Sequence, residues 1–185
     1  MIKETLKEAE TRMKGAIQSL EDDLSGIRTG RASPALVERL QVEYYGAPTP
    51  LQQLASISVP EPRQLMIRPF DSSTIKVIEK AILASELGLT PNNDGKAIRL
   101  NLPPLTEERR RDLAKVVHNR AEDGRVAIRN VRRDLVKDLR EFEHEKMISE
   151  DDRKHGEEEL QKLTDQMIKQ IDAVADRKQK EIMEV

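Results

Sequence analysis

Leu102-Pro103-Pro104-Leu105-Thr106-Glu107-Glu108 is where the chain changes character. All nine prolines lie between Pro34 and Pro104, and none falls in 1–30 or 105–185. Proline lacks a backbone donor and clashes with the preceding helical turn, so it is confined to turns, helix starts and sheet edges. Two proline-free flanks therefore predict helices enclosing a turn-rich insert.

Immediately past the prolines, Thr106 is placed to cap a helix, with Glu107 and Glu108 complementing its first turn. Apolar residues then recur at Leu113, Val117, Ala121, Ile128, Val131, Leu135, Leu139 and Phe142, the period of a helix with one buried stripe. Run on to about residue 146, this helix would be on the order of 60 Å long. Gly124 interrupts it as a weak point rather than a stop.

Further out, Ser149 followed by Glu150, Asp151 and Asp152 opens a third helix, whose seam is Leu160, Leu163, Met167, Ile171, Val174 and Ile182. Upstream, Ile2, Leu6, Ala9, Met13, Ala16, Leu20, Leu24 and Ile27 form the first seam, which ends near Gly26 and Gly30. Three such stripes can be buried only against one another. The flanks 1–30 and 105–185 should make an up-down, antiparallel three-helix bundle. Its seams are consumed internally, so a monomer is expected.

The insert, 31–104, reads as a small β-rich α/β domain. Strands are expected at Gln41–Tyr45, Ala55–Val59, Gln64–Arg68 and Ala97–Leu100. A helix runs from Ile75 to Ser85, and turns fall at Gly46-Ala47-Pro48, Gly88, Pro91 and Asn92-Asn93-Asp94-Gly95. The fold class is thus α+β. The chain enters the insert through Gly30, Arg31, Ala32, Ser33 and Pro34 and leaves it through Leu102, Pro103, Pro104 and Leu105. Two adjacent connections make either a hinge or a rigid junction, and prolines alone do not decide between them.

Composition bounds the function. Hydrophobic residues make up 37%, charged residues 36% and aromatic residues 2%, which suits narrow helices rather than one round core. There is no cysteine, so thiolate chemistry and disulfides are excluded and a reducing, cytoplasmic setting is expected. The N-terminal Met1-Ile2-Lys3-Glu4 carries acid early and has no apolar core of a signal peptide, and no run approaches the roughly 20 apolar residues of a membrane span.

Net charge is −2, yet residues 109–133 hold nine bases against three acids, while 148–185 hold seven bases against eleven acids. At about 100° per residue, Arg111, Lys115, His118, Arg125, Arg129, Arg132 and Arg133 share one sector of the middle helix, away from its apolar seam. Glu122 lies inside that sector and dilutes it. Such a stripe is either a solvated face or a phosphate-binding one. The excess of arginine, whose planar fork grips phosphate, favours nucleic acid. The four aromatic residues, Tyr44, Tyr45, Phe70 and Phe142, give no stacking platform, so folded RNA read through its backbone is expected.

Enzymatic readings are poor. His118, His144 and His155 are scattered without metal spacing, Glu157-Glu158-Glu159 reads as an exposed helix face, and no glycine-rich loop cradles phosphate. No catalytic residue, metal site or cofactor is expected.

Several stretches together resemble the ribosome recycling factor family. They are Ile27-Arg28-Thr29-Gly30-Arg31-Ala32-Ser33-Pro34, Val42-Glu43-Tyr44-Tyr45-Gly46, Pro48-Thr49-Pro50-Leu51, Ala84-Ser85-Glu86-Leu87-Gly88-Leu89, Leu102 to Arg110, and Arg125-Val126-Ala127-Ile128-Arg129-Asn130-Val131-Arg132-Arg133-Asp134. They occur in family order across most of the chain. The resemblance implies an L-shaped, two-armed molecule of tRNA-like outline. Its bundle would bind the large ribosomal subunit against 23S rRNA, and its insert would be a mobile arm. It further implies that Arg132 is the foremost rRNA contact, supported by Arg129, Arg133 and Arg125, with Arg110, Arg28 and Arg31 contributing near the elbow. Elongation factor G would be the partner and would supply the GTP hydrolysis.

Overall fold

The computed structural model describes residues 1–184. In chain order the elements are α1 (Ile2–Ser25), β1 (Gln41–Tyr44), β2 (Ala47–Pro50), α2 (Leu51–Leu54), β3 (Ala55–Glu61), β4 (Gln64–Pro69), α3 (Ile75–Ala84), β5 (Pro91–Asn93), β6 (Ile98–Asn101), α4 (Glu107–His144) and α5 (Glu150–Met183). The fold is α+β. Its backbone separates into two compact units, Met1–Leu24 with Ala114–Lys180, and Ser25–Leu113 with Glu181–Val185.

The first unit is the three-helix bundle. α4 starts where expected, because the Thr106 hydroxyl accepts from the Arg109 amide at 3.1 Å. α5 opens with reciprocal capping: the Asp152 amide donates to Ser149 Oγ at 3.1 Å, and the Ser149 amide donates to Asp152 Oδ2 at 3.3 Å. Between them Lys146 takes φ +60°, and the amides of Met147 and Lys146 donate back to the carbonyls of Phe142 and Glu143. That left-handed turn reverses the chain.

Cross-helix pairs fix the topology. Arg12 meets Asp134 and Arg120 meets Asp23, so α1 and α4 are antiparallel. Gln179 reaches the Ala114 carbonyl, Arg125 reaches Asp172, and Arg140 reaches Glu157, so α4 and α5 are antiparallel as well. Ala9, Met13, Leu20 and Leu24 of α1, Val117, Ala121, Ile128, Leu135 and Leu139 of α4, and Leu160, Met167 and Ile171 of α5 are buried. On α1 the stripe also takes in Thr5 and Ile17, whereas Leu6 and Ala16 are only half-buried.

Two of the three helical glycines are packing sites. A Cβ on Gly124 would stand 3.1 Å from Ile171 Cδ1, and one on Gly156 would stand 2.9 Å from Leu139 Cδ1. Gly124 is therefore no soft point: the missing side chain lets a branched residue of α5 sit against the α4 backbone.

The second unit holds the insert. Its four-stranded antiparallel sheet runs β3-β4-β6-β5, and β1 and β2 form a separate hairpin. Leu65 and Ile67 of β4, Ile98 and Leu100 of β6, Ile75, Ile78 and Ile82 of α3, and Val42, Leu51 and Leu54 build one core.

Two segments that overlap expected turns are strands, and one with no expected element is helical. Ala47–Pro50 is β2, paired with β1 in the register Gln41↔Pro50 and Glu43↔Pro48, and Leu51–Leu54 is a helical turn. Pro91–Asn93 is β5, the edge strand beside β6. Both prolines of β2 and the one opening β5 sit on edges, where a missing donor breaks no ladder. Tyr45 and Gly46, at φ +47° and +78°, form the two-residue turn joining β1 to β2.

The boundaries between compact units fall at 24/25, 113/114 and 180/181, rather than at 30/31 and 104/105. The reason lies in local contacts. The Arg28 guanidinium donates to the Pro103 carbonyl, and Thr29, Leu105, Arg110, Glu181 and Glu184 line a common cleft with Pro62 and Arg63 of the β3–β4 turn. The first turns of α4 and the end of α5 thus cluster with the insert. No helix among the described residues is long and apolar enough to cross a membrane.

Candidate nucleic-acid interface

The seam of α4 fixes what its other faces can do. With Leu113, Val117, Ala121, Ile128, Val131, Leu135 and Leu139 turned inward, the sector bearing Arg111, Lys115, His118, Glu122, Arg129 and Arg133 faces away from the core. Each of these six residues is exposed. Arg132 and Arg125 sit closer to the seam and are half-buried.

Ion pairing sorts the stripe into three kinds of arginine. Arg125 is committed: Nε and Nη2 donate to Asp172 Oδ1 at 2.8 and 2.7 Å, and Nη1 donates to Glu122 Oε2 at 3.0 Å. Its side chain retains 19% exposure. Burial works against its charge, but the Asp172 and Glu122 carboxylates outweigh that and raise its pKa. Arg129 is loosely held, with Nη1 3.4 Å from Glu122 Oε1. Arg111 is matched within its own turn by Glu107 at 2.6 Å. Among the described residues, Lys115, Arg132 and Arg133 form no ion pair. Glu122, gripped first by Arg125, has its pKa lowered.

The stripe expected from helical phase is therefore real in position and narrower in available charge. Arg132 and Arg133, flanked by Arg129, can meet phosphate without giving up a carboxylate. Arg125 cannot, because its fork is divided between Asp172 of α5 and Glu122 of its own helix. Asp172 lies 47 residues further along the chain, and no local spacing rule would have found it.

Arg28, Arg31 and Arg110 belong to the second unit. Arg31 and Arg110, with Arg63, line a cleft of about 570 Å³ that Glu181 and Glu184 also border. Nε of Arg28 and of Arg110 are buried, with no hydrogen-bond partner among the described residues. Burial, and then the neighbouring Arg109 charge, lowers the Arg28 pKa. The result is a cluster of guanidinium groups interleaved with two carboxylates, and its buried Nε atoms are out of reach of a ligand, so any phosphate contact here falls to the outer nitrogens. Arg63 and Arg109 are additions that the sequence reading did not single out. Arg109 stands beside Arg110 in the quoted run, whereas Arg63 carries no signal, since only folding of the β3–β4 hairpin brings it there.

His118, His144 and His155 are all exposed. Glu157 is not the free surface acid expected from its run. It bridges Arg140 at 2.9 Å and Arg153 at 3.2 Å, and Arg153 also pairs with Glu143. This network ties the α4–α5 turn together.

Comparison with known proteins places the chain among close relatives. The family model described as ribosome recycling factor matches residues 20–183. The ribosome-recycling factors of Roseiflexus castenholzii and Halalkalibacterium halodurans are 55% and 56% identical over 185 residues, covering 100% of this chain and of each relative. A solution structure of the ribosome recycling factor is similar with a TM-score of 0.79 and 47% identity, covering 100% of this chain and 98% of that one. A second structure, of the T. thermophilus ribosome recycling factor and the E. coli elongation factor G bound to the E. coli post-termination complex, matches with a TM-score of 0.69 and 47% identity over all of both chains.

Proposed function

The chain belongs to the ribosome recycling factor family, and from that premise we propose how its own residues act in recycling. The protein binds the large ribosomal subunit after termination. With elongation factor G, which hydrolyses the GTP, it splits the post-termination complex and frees subunits, mRNA and tRNA. Its role is mechanical rather than catalytic, and its place is the cytoplasm.

The observation that carries this reading is that the half-buried Arg132 and the exposed Arg133 of α4 have no carboxylate partner among the described residues, while the seam of α4 is turned into the bundle. A rigid helix presenting unpaired guanidinium groups binds RNA phosphates without first breaking an internal ion pair. Arg132 is the principal 23S rRNA contact, Arg133 and Arg129 extend it, and Arg28, Arg31 and Arg110 form a second basic patch. Arg125 acts as the strut that positions the row. The stretches Gly30–Pro34 and Leu102–Leu105 provide the hinge through which the insert moves.

The test is binding to purified 50S subunits, against bulk duplex RNA, across a salt series. Arg132→Ala should weaken 50S binding and lower the log–log salt slope by about one. Unchanged 50S affinity would remove this face from the interface. Equal affinity for any duplex would reduce the protein to a general RNA binder.

A further inference from the structure

Glu122 is the one acid in the middle of an otherwise basic face, and its partners leave it electrostatically surplus. Arg125, the nearest base, is already neutralised by Asp172, whose Oδ1 takes two of its donors at 2.8 and 2.7 Å. Glu122 adds a third contact at 3.0 Å and then reaches to Arg129 at 3.4 Å. Both ends of that last pair are about half exposed, 50% for Glu122 and 49% for Arg129. Exposed pairs of this length contribute little to folding, and Arg125 keeps Asp172 without Glu122, so stability accounts for little of the carboxylate. Its consequence lies in what the face offers to an anion.

We propose that Glu122 is a built-in electrostatic brake on this face: it holds Arg129 in the free protein and repels the RNA backbone in the bound one, keeping affinity low enough for release. The proposal rests on the reading of α4 as the ribosome-binding surface. In the free state Arg129 is parked on Glu122 Oε1. When phosphates arrive at Arg132 and Arg133, Arg129 exchanges the carboxylate for phosphate oxygen, a swap that a 3.4 Å contact permits at little cost. Glu122 cannot withdraw with it, because Arg125 is held by Asp172 and keeps a grip on Oε2. A negative charge therefore stays within one side-chain length of the bound backbone. A factor that acts once per termination event and must then leave gains turnover from such a cap on affinity.

The experiment compares the full-length protein with Glu122→Gln, Arg132→Ala and the double variant Glu122→Gln/Arg129→Ala, in 50S binding, dissociation and multiple-turnover splitting at limiting protein. Glutamine keeps the volume and an acceptor oxygen but removes the charge. Glu122→Gln is expected to bind 50S on the order of threefold to tenfold more tightly at low salt. Its salt slope should steepen by roughly 0.9, its dissociation should slow, and its multiple-turnover rate should fall. In the double variant the gain should shrink, since only the relief of repulsion is left. Thermal melting followed by circular dichroism should shift by no more than about 1–2 °C, since Glu122 and Arg129 are half exposed and Arg125 keeps Asp172.

Unchanged or weaker binding by Glu122→Gln, alongside a loss for Arg132→Ala, would overturn the brake and leave the α4 face standing. Unchanged binding by both would overturn the face itself. A tighter Glu122→Gln whose gain survives Arg129→Ala in full would overturn the exchange between carboxylate and phosphate.

Discussion

Arg125 and Arg132 lie about two helical turns apart on α4, and substitution should separate their roles. Arg125 places three nitrogen donors on Asp172 and Glu122 with 19% exposure, so Arg125→Ala strands a half-buried carboxylate on α5. A loss of about 1 kcal/mol is expected after allowing for the exposure of both acids, or roughly 2–4 °C in Tm for a chain of this size. Arg132→Ala should leave Tm in place and lower 50S affinity. Melting curves read beside binding isotherms distinguish the two. If Arg125→Ala melted like the parent yet bound 50S as poorly as Arg132→Ala, the strut assignment would fail. The distinction was half legible in the sequence. Helical phase placed both residues on one sector, because phase follows from period alone. Which arginine was spoken for depended on Asp172, whose position on α5 relative to α4 is a tertiary fact.

Helices and strands differ in how much their own sequence declares. α4 and α5 announced their starts through Thr106 and Ser149, whose hydroxyls make the expected capping bonds, because a cap is a local event over three or four residues. β2 and β5 did not announce themselves. Pro48 and Pro91 read as turn residues, and only pairing with β1 and β6 makes strands of their segments. Glycines show the same split. Gly15, Gly124 and Gly156 look alike in sequence, yet a Cβ at Gly15 meets nothing within 4 Å, while one at Gly156 meets Leu139 at 2.9 Å. Gly15→Ala should stabilise α1 by about 0.5–1 kcal/mol through backbone entropy. Gly156→Ala should cost about 1–3 kcal/mol by overpacking a fully buried leucine. Urea denaturation of the two variants checks both signs. The α4–α5 turn supplies a pH test. Burial opposes ionisation of Glu157, but Arg140 and Arg153 outweigh it and hold its pKa below the usual carboxylate range. A carboxyl with a depressed folded pKa stabilises above its unfolded value of about 4.3, and that contribution is lost as pH falls through the folded value. Tm should therefore drop on the acid side below about pH 4.3, and Glu157→Gln should flatten that slope while lowering Tm at neutral pH. An identical acid slope in the variant would assign the effect to other carboxyls.

At the scale of the whole molecule, the two units have separate cores and the chain passes between them in few places. The proposed hinge residues are not equivalent. The Ala32 amide donates to the Pro62 carbonyl at 2.7 Å and the Leu102 amide to the Arg63 carbonyl at 2.8 Å. Both connections are thus pinned to the same β3–β4 turn. Ser33 caps the short 3₁₀ turn that follows, and Leu102 is buried in the insert's core. Residues 32–34 and 102 are therefore tied to the insert's strands, and the proposed hinge narrows to Gly30, Arg31, Pro103, Pro104 and Leu105, which lie within the same compact unit. The two prolines donate no hydrogen bond, and Gly30 carries no side chain to resist a change in φ and ψ. Amide exchange should show Ala32 and Leu102 protected with the strands β3, β4 and β6, and Gly30 and Leu105 exchanging early. Gly30→Pro fixes φ at the one glycine of the Gly30–Pro34 connection, so it should retain 50S binding while slowing subunit splitting in the presence of elongation factor G and GTP. Splitting at the parental rate, with Gly30 amide exchange in the parent as slow as that of Ala32, would show that the connection is a rigid junction and that force reaches the insert without a hinge.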